Sequence, residues 1–74
     1  MTPMDYKVNA QKAAKDKGIA ELKMQAAMLS HSAACMAGDS EAEVKTRQEI
    51  HALQDIILDA NAMIYYCLNK LSEQ

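Results

Sequence analysis

The stretch Met36-Ala37-Gly38-Asp39-Ser40-Glu41-Ala42-Glu43 decides how this chain folds. Gly38 suits the left-handed conformation that closes a helix. Asp39 and Ser40 are N-cap residues for a second helix, and Ser40 with Glu43 has the spacing of a capping box. Glu41 and Glu43 put negative charge at a helix N-terminus, where the macrodipole favours it. A connection of two or three residues forces the flanking helices to lie antiparallel.

Working outward, little interrupts helix on either side. Pro3 is the single proline, and Gly18 and Gly38 are the two glycines, in 74 residues. The rest is dominated by Ala, Met, Leu, Gln, Glu and Lys, which favour helix. Thr2 can cap the first helix, Pro3 suits its first position, and Asp5 lies three residues beyond Thr2, another capping-box spacing. The expectation is an all-α, coiled-coil-like antiparallel hairpin forming one domain. Its first helix covers about residues 3–37, the turn 38–40 and the second helix about 41–71. Gly18 costs about 1 kcal/mol against alanine inside a helix and follows the polar string Lys15-Asp16-Lys17. The first helix therefore either runs through it or is preceded by a frayed or separate segment before Gly18.

Apolar spacing supplies the packing faces. In the second helix Ile50, Leu53, Ile57, Ala60, Ile64, Cys67 and Leu71 step by three and four residues, the signature of a coiled-coil seam. In the first, Ile19, Leu22, Ala26, Leu29, Ala33 and Met36 do the same, and they are expected to form the opposing seam. Folding about the turn puts residue i opposite residue 77 − i. Ile64, Leu68 and Leu71 then face the small or polar region of Ala13, Asn9 and Tyr6. Ile56 and Met63 flank the seam on one side, and Leu58, Tyr65 and Leu68 on the other. One partner helix covers a stripe of about 100°, so the end of the second helix is expected to need a further partner.

Charge excludes some roles. The net charge is −2, too small to imply a nucleic-acid or membrane-surface role. Residues 1–23 are net basic and the remainder net acidic, as antiparallel helices with complementary exposed charge would be. Residues 1–17 lack the apolar stretch of a secretory leader, and no run approaches the roughly 20 apolar residues of a membrane span. The expected location is cytoplasmic, with both cysteines reduced. His31 and Cys35 are spaced as two metal ligands on one helical face. Cys67 and His51 fall elsewhere along the rod, so neither a metal site nor a Cys35–Cys67 disulfide is expected, and both thiols read as small buried apolar groups. No cleft, phosphate-binding loop or inward carboxylate cluster points to catalysis or to a cofactor.

Gly38-Asp39-Ser40, Gln48, Ala52-Leu53, Ile56-Ile57 and Ile64-Tyr65-Tyr66 together resemble the small co-chaperones of type III secretion needle subunits (the YscE, EscE and SsaE group), over roughly residues 20–71. That resemblance implies a cytosolic bacterial hairpin that binds a tetratricopeptide-like chaperone. The pair then keeps a needle-forming subunit soluble and unpolymerised for virulence-associated protein transport. The residues expected to meet such a partner are Leu22 and Met28 with Leu53, Ile56, Ile57, Met63, Ile64, Tyr65, Tyr66 and Leu68. Some of these belong to the intramolecular seam instead, Ile57 and Ile64 foremost. With the partner absent, the same surface leaves self-association open, and composition alone does not choose between the two. A different reading is a homodimeric four-helix-bundle regulator of the plasmid or phage type, binding RNA or a protein. A third is a polymerising needle-type subunit, which the proline-free turn disfavours.

Overall fold

A computed structural model of the chain describes residues 2–73. Helix α1 spans Pro3–Ala37 and helix α2 spans Ser40–Ser72. They pack along their length as an antiparallel hairpin, a rod of 55 × 14 × 14 Å.

Each boundary has a chemical cause. Thr2 is extended and its hydroxyl accepts from the Asp5 backbone N–H, while the Asp5 carboxylate accepts from the Thr2 N–H. This capping box satisfies two helix-end donors reciprocally. At the other end Gly38 adopts φ 70°, ψ 24°, and its N–H donates to the carbonyls of Ala34 and Cys35. An L-residue in that conformation is strained, which makes glycine the suitable residue. Asp39 is the N-cap of α2, its carboxylate accepting from the Ala42 N–H at 3.2 Å. Ser40 is thus the first helical residue, and the expected Ser40–Glu43 capping box does not form. Asp39 out-competes it because a carboxylate is a stronger acceptor beside the positive helix end. Gly18 does not divide the first helix. It lies inside α1 on an exposed face with no atom within 4 Å of where a Cβ would stand, so its cost is one of propensity alone.

The seam on α2 is the expected one. Ala60 and Cys67 are buried, and Ile50, Leu53, Ile57, Ile64 and Leu71 are half-buried, with Thr46 buried nearer the turn. The seam on α1 is different from the expected one. Ala13, Ala20, Ala27 and Ala34 are its buried residues, spaced by seven, and Tyr6, Ala10, Lys17, Met24 and His31 are half-buried between them. Ile19, Leu22, Leu29 and Met36 face away, at 45%, 69%, 74% and 90% exposure. Reading the largest apolar residues as the packing face chose the wrong side of α1. Alanine lets two backbones approach closely, and the larger side chains of α2 fill the space it leaves. Leu53 borders Ala20 and Ala27, and Ala60 lies beside Ala13.

The fold-back register holds near the turn and slips at the open end. His31 bonds Thr46, as 77 − i requires. Tyr6, placed by that rule near Leu71, instead meets Tyr66 edge-on, with ring centroids 6.2 Å apart and planes at 67°. Such an aromatic pair is worth about 0.5–1.5 kcal/mol beyond its buried area. Both ion pairs among the described residues lie within a single helix, Lys17–Glu21 at 3.9 Å and Lys70–Glu73 at 3.7 Å. The opposite charge of the two chain segments therefore makes no ion pair between helices among those residues.

Candidate protein-binding surface

The ten residues singled out from the sequence fall into two groups. Leu53, Ile57 and Ile64 are half-buried on the α2 seam, where they pack against α1. Leu22, Met28, Ile56, Met63, Tyr65, Tyr66 and Leu68 are exposed, the last five together with Leu58 surrounding the final four turns of α2. They do not form one patch. Ile56 and Met63 line a shallow groove between the helices with Asn9, Lys12 and Asp16 of α1. That groove continues towards the turn past Ile19, Ala20 and Lys23, then past Ala26 and Ser30 beside Glu49 and Ala52. Leu68 lies across the seam from Ile56, while Leu58 and Tyr65 share an outward face, as positions seven apart must.

Tyr66 is committed in part to the hairpin. Its edge contact with Tyr6 closes the open end, and the Lys70 ammonium lies 5.7 Å from its ring centroid. Tyr65 makes no such contact and is 67% exposed. Of the two tyrosines, Tyr65 is the freer contact residue. Cys67 is 1% exposed, and its thiol lies 3.8 Å from the Met63 sulfur near the far end of that side chain, although Met63 as a whole remains exposed.

A polar cluster ties the turn end together. The Thr46 hydroxyl donates to the carbonyls of Ala42, at 2.7 Å, and Glu43, at 3.2 Å. Its single proton is thereby used, so the 2.8 Å contact with His31 Nδ1 has the imidazole N–H donating to Thr46 Oγ1. His31 Nε2 then accepts from the Cys35 thiol at 3.6 Å. Cys35 is exposed, not buried as its small apolar character suggested, because position 35 falls one residue beyond the alanine seam. Among the described residues no three His, Cys, Asp or Glu side chains converge as metal ligands. No helix among them is long and apolar enough to cross a membrane.

On the outer face of α1, sequence reasoning singled out Leu22 as a contact residue but assigned the rest of the stripe to the seam. Ile19, Leu22, Leu29 and Met36 are all exposed there. Two signals mark it in the sequence: the seven-residue alanine repeat that claims the opposite face, and the fifteen residues Met24–Gly38, which carry no Asp, Glu, Lys or Arg. No protein-family model, characterised protein or solved structure matches this chain.

Proposed function

We propose that this chain is a protein-binding hairpin acting as a small cytoplasmic co-chaperone. In this reading it docks on a tetratricopeptide-like chaperone and helps keep a type III secretion needle subunit soluble and unpolymerised. The observation that carries the binding role is the exposed apolar girdle at the end of α2, formed by Ile56, Leu58, Met63, Tyr65 and Leu68, each 46–67% exposed. Burying one such side chain fully is worth about 1.5–3 kcal/mol. A partner covering several of them gains enough to bind an open rod. Tetratricopeptide-type partners present arrays of helix pairs with concave surfaces, a shape suited to a rod 14 Å wide. The specific secretion context rests on the resemblance in the turn and in α2.

Co-expression with a candidate tetratricopeptide-like chaperone tests the reading. A 1:1 complex should form, and Tyr65→Ala with Leu68→Ala should abolish it while the free chain keeps its helical circular dichroism. Failure to co-purify with any such chaperone from the same secretion cluster would overturn the assignment. A complex untouched by the double substitution would place the contact elsewhere.

A further inference from the structure

The outer face of α1 repeats the geometry of a coiled-coil seam. Ile19, Leu22, Ala26, Leu29, Ala33 and Met36 step by three and four residues. Leu22, Leu29 and Met36 lie about 160° around the helix from the buried alanines. Ile19, Ala26 and Ala33 lie about 100° from them, Ile19 and Ala26 at the edge of the interhelical groove. From Met24 to Gly38 no charged side chain flanks them. Exposed helix faces are normally charged, and loss of charge at the centre is the compositional mark of an interface. From these observations we infer that α1 pairs through this stripe with α1 of a second copy of the chain, in antiparallel orientation.

Orientation and register follow from size and charge. A two-fold axis between residues 27 and 28 sets Leu29 against the partner's Ala26, Leu22 against the partner's Ala33, and Ile19 against the partner's Met36. Leucine meets alanine in both central layers, so the stripe is self-complementary, as an isologous contact requires. A parallel pair would stack leucine on leucine and alanine on alanine. On the N-terminal side of Ile19 the stripe changes character, its next positions being Lys15 and Lys12. In the antiparallel register Lys15 falls opposite the turn of the other copy, beside its Asp39, while Lys12 lies beyond the end of that copy's α1. A parallel register would place lysine against lysine. The apolar stripe thus ends where the partner's helix ends, and charge of opposite sign takes over.

The arrangement has a distinctive shape. Because the two seams of α1 lie on nearly opposite sides, the four helices form a slab in the order α2, α1, α1, α2 and not a square bundle. Residues 18–37 of the two copies overlap, about 30 Å at 1.5 Å per residue. Two 55 Å rods joined this way span about 80 Å. The girdle on α2 stays outside the contact, so the inference does not depend on the proposed chaperone partner.

Sedimentation velocity and small-angle scattering of the full chain test it. A concentration-dependent dimer with a maximum dimension near 80 Å is expected. Leu22→Glu with Leu29→Glu should give a helical monomer, its dissociation constant weakened about a hundred-fold or more by burial of unpaired carboxylates. Ala26→Leu alone should weaken the dimer, and adding Leu29→Ala should restore it by exchanging the two sides of one layer. A chain monomeric at hundreds of micromolar would overturn the inference. So would a dimer only about 55 Å long, or one indifferent to the glutamate pair.

Discussion

At the scale of single residues, the ends of the helices carry the polar chemistry. Asp5 accepts from the backbone and the hydroxyl of Thr2, and these two bonds hold its carboxyl below its ordinary value of 3.8. A depressed carboxylate contributes stability that is present above its unfolded-state pKa and lost as pH falls through its folded value. The contribution is therefore complete at neutral pH and disappears below about pH 4. Acid titration followed by amide NMR should show the first turn of α1 fraying in that window. Asp5→Asn should remove the transition at Thr2. A second residue, Thr46, is the one buried polar side chain among the described residues. Its hydroxyl gives its proton to the α2 backbone and accepts from His31, so it couples the helices at the level where the register is set. Thr46→Val keeps the shape and leaves the His31 N–H without its partner. Urea unfolding should show a loss of about 1–2 kcal/mol, and His31→Ala made on that background should cost little more if the two residues act as a unit.

At the scale of the element, the two helices were unequally legible in sequence. Apolar periodicity finds a seam by locating large hydrophobic side chains, and in α2 those are the seam: Ile50, Leu53, Ile57 and Ile64. In α1 the rule fails because two stripes compete. Ile19, Leu22, Leu29 and Met36 outweigh Ala13, Ala20, Ala27 and Ala34 on any hydrophobicity scale, yet the alanines pack against α2. What decides is the fit of facing side chains. An α2 seam rich in isoleucine and leucine needs small residues opposite it if the helices are to approach. The fold was legible from the turn and the absence of breakers; the choice of face on α1 needed both helices considered together. Paired substitutions separate the stripes. Ala20→Leu inserts volume where 3% of the residue is exposed and should cost about 1–3 kcal/mol by overpacking. Leu22→Ala, two residues away, should change the stability of the dilute chain by no more than about 0.5 kcal/mol, measured by urea denaturation at low micromolar concentration. Equal losses from both would return Leu22 to the seam.

At the scale of the whole molecule, the hairpin has little core for its length. Its radius of gyration is 16.5 Å, against about 11 Å for a compact chain of this size. Among the described residues the buried apolar ones are five alanines and Cys67, so no large side chain among them is fully removed from water. Backbone ordering costs about 1–2 kcal/mol per residue, and small domains with so thin an interior are marginal unless something else covers their apolar surface. Among the described residues, fourteen large hydrophobic side chains are 45–90% exposed in the single chain, and covering them is the available source of further stability. Stability should then depend on protein concentration. If folding is coupled to pairing through α1, each ten-fold increase adds about 0.7 kcal/mol per chain by mass action. That corresponds to a rise of roughly 3–5 °C in the thermal midpoint for a domain of this size. Circular dichroism melts over two decades of concentration should show this slope for the wild type and a flat line for Leu22→Glu with Leu29→Glu. A chaperone bound at the proposed α2 surface should raise both midpoints, because that surface lies outside the α1 stripe. A midpoint above the usual mesophilic range of about 45–65 °C that ignored concentration would mean that the alanine seam suffices by itself, and that the exposed stripes exist for binding without supporting the fold.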